Sequence, residues 1–106
     1  MIKYNKTMNT KEEILSFLSE NKNELLSKYY LSKIGLFGSF SRGEATKNSD
    51  VDIIFDFKEN AGDIYSIKTS LKQYLSNTFN RSVDLAREKY LKPYAKKQIL
   101  QDAIYV

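Results

Sequence analysis

The sequence predicts an α/β (α+β) domain: a short mixed β-sheet with helices packed mainly on one face. Three observations carry this. Val51, Ile53, Phe55 and Phe57 alternate with Asp52, Ile54 and Asp56, the period-two signature of a strand. Ile64, Ile67, Leu71, Tyr74 and Leu75 recur at spacings of three and four, the signature of an amphipathic helix. A second short apolar run follows that helix at 82–86, and a strand–helix–strand unit of this kind closes as a right-handed parallel crossover.

The elements follow in chain order. Thr10-Lys11-Glu12-Glu13 has capping-box spacing, and Ile14, Leu15 and Leu18 continue it as a helix that Asn21-Lys22-Asn23 breaks. Leu25, Leu26 and Tyr29 mark a second helix running toward Tyr30. Leu31–Phe37 reads as a buried strand stopping at Gly38, followed by a turn-rich connection with one helical turn from Phe40. After the strand at 51–57 come a helix over 61–79, a turn at 77–81 and the short strand at 82–86. A last helix spans 91–103, with Pro93 tolerated in its first turn, and Ile104-Tyr105-Val106 ends as an extended tail. No repeat or linker interrupts the chain, so residues 1–106 are expected to form one domain, with N-terminal helices at about 10–30 and a core at about 31–106.

Composition narrows the chemistry. The chain has 106 residues, 42% hydrophobic and 28% charged, a globular balance. It has no histidine and no cysteine, which excludes Ser-His-Asp and Cys-His catalysis, imidazole or thiolate metal sites and disulfides. A reducing cytoplasm fits that usage. No apolar run is long enough to span a bilayer, and the Met1–Asn5 start lacks a signal-peptide apolar stretch, so no membrane association is expected. The net charge is +4, but the basic residues are mostly scattered lysines, with Arg42, Arg81 and Arg87 the only arginines. Direct nucleic-acid binding is therefore not expected, while an acidic protein partner suits the charge.

The informative stretch is Gly38-Ser39-Phe40-Ser41-Arg42-Gly43, followed after five residues by Ser49-Asp50-Val51-Asp52. Two aspartates one residue apart in a strand project to one face, where their repulsion raises a pKa unless a cation lies between them. Carboxylates without nitrogen or sulfur ligands select Mg²⁺ or Mn²⁺. A glycine at a strand end lets main-chain N–H groups approach a phosphate, and Ser39 can donate to the same oxygens or cap a helical turn. Arg42 can neutralise phosphate charge or pair with Glu44 or the aspartates. Asp56 continues the Asp52 face as a supporting group or a solvated residue.

Gly38-Ser39, Arg42-Gly43 and Ser49-Asp50-x-Asp52 together resemble the defining motif of the polymerase-beta-like nucleotidyltransferase superfamily. Among its branches the chain is most similar to the minimal nucleotidyltransferases, a likeness that continues through Val83-Asp84-Leu85 to the C-terminal residues. Ser41 stands where alanine is common in these relatives. The resemblance implies a nucleotidyltransferase fold with catalytic, metal-binding Asp50, Asp52 and Asp84, and a nucleotide held by Gly38, Ser39, Arg42 and Ser49. A single aspartate between apolar residues, Asp84 is also readable as a solvated strand residue, the lesser of the two readings. For the Gly38 and Asp50 ends to meet, the first two strands must be antiparallel, with the third parallel to the second.

The implied activity is Mg²⁺-dependent transfer of AMP from ATP to a hydroxyl. Too few residues follow Asp84 for an acceptor-binding domain, so the acceptor site is expected to come from a partner or a second copy. The family implies a HEPN-class toxin as partner in a hetero-oligomer, with the chain acting as antitoxin by adenylylating a toxin tyrosine. Two alternatives stand beside it: a non-catalytic antitoxin that neutralises by contact, and a homo-oligomeric transferase acting on a small molecule.

Overall fold

The structure is a computed structural model that describes residues 6–106; Met1–Asn5, where the sequence shows no signal-peptide stretch, lie outside the described residues. Helix α1 (Lys11–Glu20) starts at Thr10, whose hydroxyl accepts the Glu13 N–H while Glu13 reaches back to the Asn9 N–H. That reciprocal pair satisfies two of the free donors at a helix start. The chain pauses at Asn21 and continues as α2 (Lys22–Lys28). Strand β1 (Leu31–Phe37) leads directly into the single turn α3 (Gly38–Ser41), which begins two residues earlier than the expected Phe40. The positive φ of Gly38, +73°, lets the chain leave the extended conformation of Phe37 at once.

Strand β2 (Val51–Phe57) has the predicted bounds. Helix α4 (Ile64–Phe79) starts three residues later than the periodicity suggests, because Asp63 accepts the Ser66 N–H at 3.1 Å and fixes the first turn. Strand β3 (Val83–Arg87) and a 3₁₀ turn (Glu88–Tyr90) precede α5 (Pro93–Asp102), whose first residue is the proline. The expected extended tail is a strand: β4 (Ile104–Tyr105) pairs antiparallel with β1.

The sheet order is β3-β2-β1-β4, with β1 and β2 antiparallel and β2 and β3 parallel, as the sequence required. Ile14 and Leu18 of α1, Leu25 of α2, and Leu71, Leu75 and Phe79 of α4 close one apolar core over Ile34, Leu36, Val51, Ile53 and Phe55. The opposite face carries Asp52, Ile54 and Asp56 of β2. Gly35 matters there: a Cβ at this position would stand 2.6 Å from the Ile104 carbonyl oxygen, so only glycine lets β4 pair so closely. Among the described residues no helix is long and apolar enough to cross a membrane.

Candidate active site

The end of the sheet that carries Asp52 and Asp84 is built by register. Phe37 pairs with Asp52 across β1 and β2, and Asp52 pairs with Asp84 across β2 and β3. Residues opposite one another in paired strands share a face, so Asp52 and Asp84 are neighbours although 32 positions apart in sequence. Asp50 lies just ahead of β2 and is exposed, as is Asp84, while Asp52 is half-buried between them. Burial and then the charges of Asp84 and Asp50 raise the Asp52 carboxyl to a pKa of about 6, against a smaller opposing pull from Arg42.

Gly38 closes the other side. A Cβ built there would lie 2.1 Å from Asp52 Oδ2 and 2.9 Å from its Cγ, so the main chain presses against the carboxylate as no other residue would permit. Ser39 is half-buried, and its hydroxyl has no hydrogen-bond partner among the described residues. The turn's cap is Phe37, so the capping role considered for Ser39 is not the one it plays. Phe40 anchors the turn in the core, and Ser41 donates to the main-chain oxygen of Asp102.

Arg42 stands at the edge of this group. Its Nε donates to Glu44 at 2.9 Å and its Nη1 to Asp102 at 2.7 Å, both of which strengthen its hold on the proton. The ion-pair reading of Arg42 is thus realised, with Asp102 as a partner the sequence did not suggest. Ser49 spends its hydroxyl locally, accepting the Thr46 N–H at 2.8 Å to staple the loop before Asp50. Asp56 is neither solvated nor part of the carboxylate group. Its Oδ1 accepts from Arg87 Nε and the Phe57 N–H, each at 2.8 Å, and its Oδ2 from the Lys89 N–H at 3.1 Å. These bonds hold its pKa below the usual carboxylate range despite burial. The cause is strand length: at β2's far end, Asp56 meets the residues that turn out of β3.

Arg81 was not singled out by any sequence signal, and it organises the approach to the site. Its Nη1 donates to the carbonyl oxygens of Lys47 at 3.1 Å and Ser49 at 3.0 Å, its Nε to that of Met8 at 2.6 Å, and its Nη2 to Asn9 at 2.8 Å. The guanidinium also lies 5.0 Å from the Phe40 ring centroid. One planar fork therefore ties the loop that delivers Asp50, the N-terminal segment and α3 to a single point.

The donor set fits a hard divalent ion. All the converging side chains offer carboxylate oxygen, and Asp52's raised pKa marks negative charge that a cation would relieve. Among the described residues no three His, Cys, Asp or Glu side chains stand close enough together to hold a metal ion by themselves.

Comparison with known proteins agrees with this geometry. Residues 18–106 match the nucleotidyltransferase domain family. A protein adenylyltransferase, MntA, of Thermococcus cleftensis is 40% identical over 99 residues, covering 93% of this chain and 98% of its own. A solved structure described as a candidate minimal nucleotidyltransferase superposes with a TM-score of 0.76 at 27% identity, covering 93% of this chain and 98% of that one. A toxin–antitoxin structure with AMP-PNP gives a TM-score of 0.64 at 26% identity, covering 81% of this chain and 69% of that one. With the aspartates in register, the glycine pressed against them and the family match spanning the whole sheet, the chain belongs to the nucleotidyltransferase family, in its minimal branch.

Proposed function

We propose that the chain is a protein adenylyltransferase that transfers AMP from ATP to a tyrosine hydroxyl of a HEPN-class toxin, acting as the antitoxin of a cytoplasmic toxin–antitoxin pair. The observation that carries this reading is the packing of Gly38 against Asp52, with Asp84 in register on the next strand. The naming of a 40%-identical relative as a protein adenylyltransferase supports it, as does the fold likeness to a toxin–antitoxin structure with an ATP analogue. The net charge of +4 suits an acidic partner surface.

Asp50, Asp52 and Asp84 would hold Mg²⁺ or Mn²⁺, which supplies neutralisation of triphosphate charge and a lowered pKa for the attacking hydroxyl. The chain's own residues do the rest. Gly38 leaves its main chain bare beside Asp52, and the free Ser39 hydroxyl can donate to a phosphate oxygen there. Ser49 acts through the loop that carries Asp50, and Arg42 adds positive charge from the rim. Asp84, exposed at the sheet edge, receives the phenolic proton as the tyrosine oxygen bonds to the α-phosphorus. The bond from that phosphorus to the bridging oxygen breaks, and pyrophosphate leaves.

The test is incubation of the purified chain with labelled ATP, Mg²⁺ and its co-expressed toxin. Label is expected on a toxin tyrosine, abolished by Asp50→Asn with Asp52→Asn. Asp84→Asn should slow transfer at least about 100-fold with ATP affinity little changed. A tight but unlabelled complex would instead establish neutralisation by contact, and label on a small alcohol would establish small-molecule transfer.

A further inference from the structure

Strand β3 is an outer strand of the sheet, and no other described strand pairs with its far side. The Val51 N–H donates to the Ser82 carbonyl oxygen at 2.9 Å, so Ser82, Asp84 and Ala86 turn their main-chain groups toward β2. By alternation Val83, Leu85 and Arg87 turn theirs outward. Val83 is 1% exposed, which leaves Leu85 and Arg87 as the accessible stretch of the edge. Asp84 sits beside that stretch, with its side chain on the catalytic face.

Helix α4 runs alongside. Ile64, Lys68, Lys72 and Ser76 recur every four residues, so they line one stripe of the helix facing this edge, and the cap residue Asn80 continues it. Helix and edge strand border a trough with two parts, one after the other along the strand. One, of about 580 Å³, is mainly apolar, walled by Ile64, Tyr65, Leu85, Tyr90 and Leu91 with Lys68 and Arg87 beside them. The other, of about 470 Å³, is polar and reaches Asp84, with Lys72, Asn80 and Arg81 on its walls. Tyr65 and Tyr90 are 81% and 66% exposed, and Arg87 stacks 4.9 Å from the Tyr90 ring centroid. Lys68 and Lys72 are exposed and have no ion-pair partner among the described residues.

We propose that the β3 edge and the α4 trough together dock the acceptor protein's tyrosine-bearing segment, which binds as an added β-strand. This rests on the reading of Asp84 as the group that receives the acceptor's proton. The chemistry of the segment follows from alternation. With its tyrosine opposite Asp84 on the catalytic face, the residues one and three positions away, opposite Leu85 and Arg87, point toward α4. The nearer one meets Lys68 and Lys72 and is acidic; the further one enters the apolar part and is aliphatic or aromatic. Main-chain hydrogen bonds supply affinity and the alternate side chains supply choice, the general logic of strand addition. A second copy of this chain is the poorer occupant, because pairing two β3 edges would bring the lysine stripes of both copies together.

The probe is a synthetic peptide, Thr-Leu-Thr-Glu-Tyr-Glu-Thr-Leu-Thr, whose symmetry serves either strand direction. Binding is followed by amide chemical shifts of the full chain without ATP or metal, and transfer by label from ATP with Mg²⁺. The expected result is shifts at Leu85, Arg87, Lys68 and Lys72, and at least tenfold weaker binding to Lys68→Glu with Lys72→Glu. Peptides N-methylated on the Glu and Leu residues, or instead on the Tyr and Thr residues, should differ, with one set losing binding and the other keeping it. Both sets binding equally well overturns strand addition. Labelling of the peptide with no shifts along β3 and α4 overturns the docking site and leaves the transferase reading standing. Shifts in the trough without any labelling keep the docking site and overturn the transferase reading. No shifts and no label, or dimerisation of the chain through β3, overturns the proposal.

Discussion

Replacing Gly38 by alanine tests the central contact of the site without touching its charges. Two separate costs are expected. An alanine held at φ +73° pays about 1–2 kcal/mol for the left-handed backbone. Its Cβ would also lie 2.1 Å from Asp52 Oδ2, so that carboxylate must swing off its rotamer, at about 0.5–1.5 kcal/mol. The sum is about 2–3 kcal/mol in the wild-type background. With Asp52 cut to alanine the carboxylate is gone, and only the backbone cost remains. Urea denaturation of the wild type, Gly38→Ala, Asp52→Ala and the double variant, all without divalent ions, forms a cycle whose coupling energy is about 1 kcal/mol. The direct effect of losing Asp52 cancels in that cycle. Additive costs, with Gly38→Ala equally harmful in both backgrounds, would refute the contact and the argument built on it.

Three further outcomes follow from single side chains. Arg81→Lys keeps the charge but cannot reproduce a fork that bonds Met8, Asn9, Lys47 and Ser49; it should lose about 1–3 kcal/mol by urea denaturation and slow nucleotide transfer at least about tenfold, and full transfer by the folded variant would deny it a positioning role. The Asp52 carboxyl has a folded pKa of about 6, raised from 3.8, so its stabilising contribution is complete below about pH 4 and is lost as pH rises through 6. Asp52→Asn should therefore match the wild type in thermal stability near pH 4 and exceed it near pH 7.5 in EDTA, and a gap independent of pH would contradict the assignment. For Asp56 the sign reverses: its pKa is lowered, so its pairing with Arg87 contributes above about pH 4 and is lost as pH falls through the folded value. Asp56→Asn should cost about 1–3 kcal/mol at pH 7 and progressively less in acid, measured by urea denaturation across that range.

The sequence alone determined most of the elements and the carboxylate pair, because each depends on local periodicity or on neighbours in the chain. Alternation over Val51–Phe57 requires Asp52 to face away from the core, and the recurrence of Ile64, Ile67, Leu71 and Leu75 requires a helix. Joining Gly38 to Asp50 at one place then required antiparallel strands. Only the tertiary structure decided which distant residues complete that frame. Arg81 reaches Met8 and Asn9 across more than 70 positions, Asp102 meets Arg42 across 60, and Arg87 captures Asp56 across 31. The C-terminal Ile104–Tyr105 became a fourth strand because Gly35, with no side chain, leaves room for its backbone. Such contacts leave no periodic trace, since an arginine, an aspartate or a two-residue strand has no local pattern that names its partner. Their geometry exists only once burial of the shared core has brought the elements together.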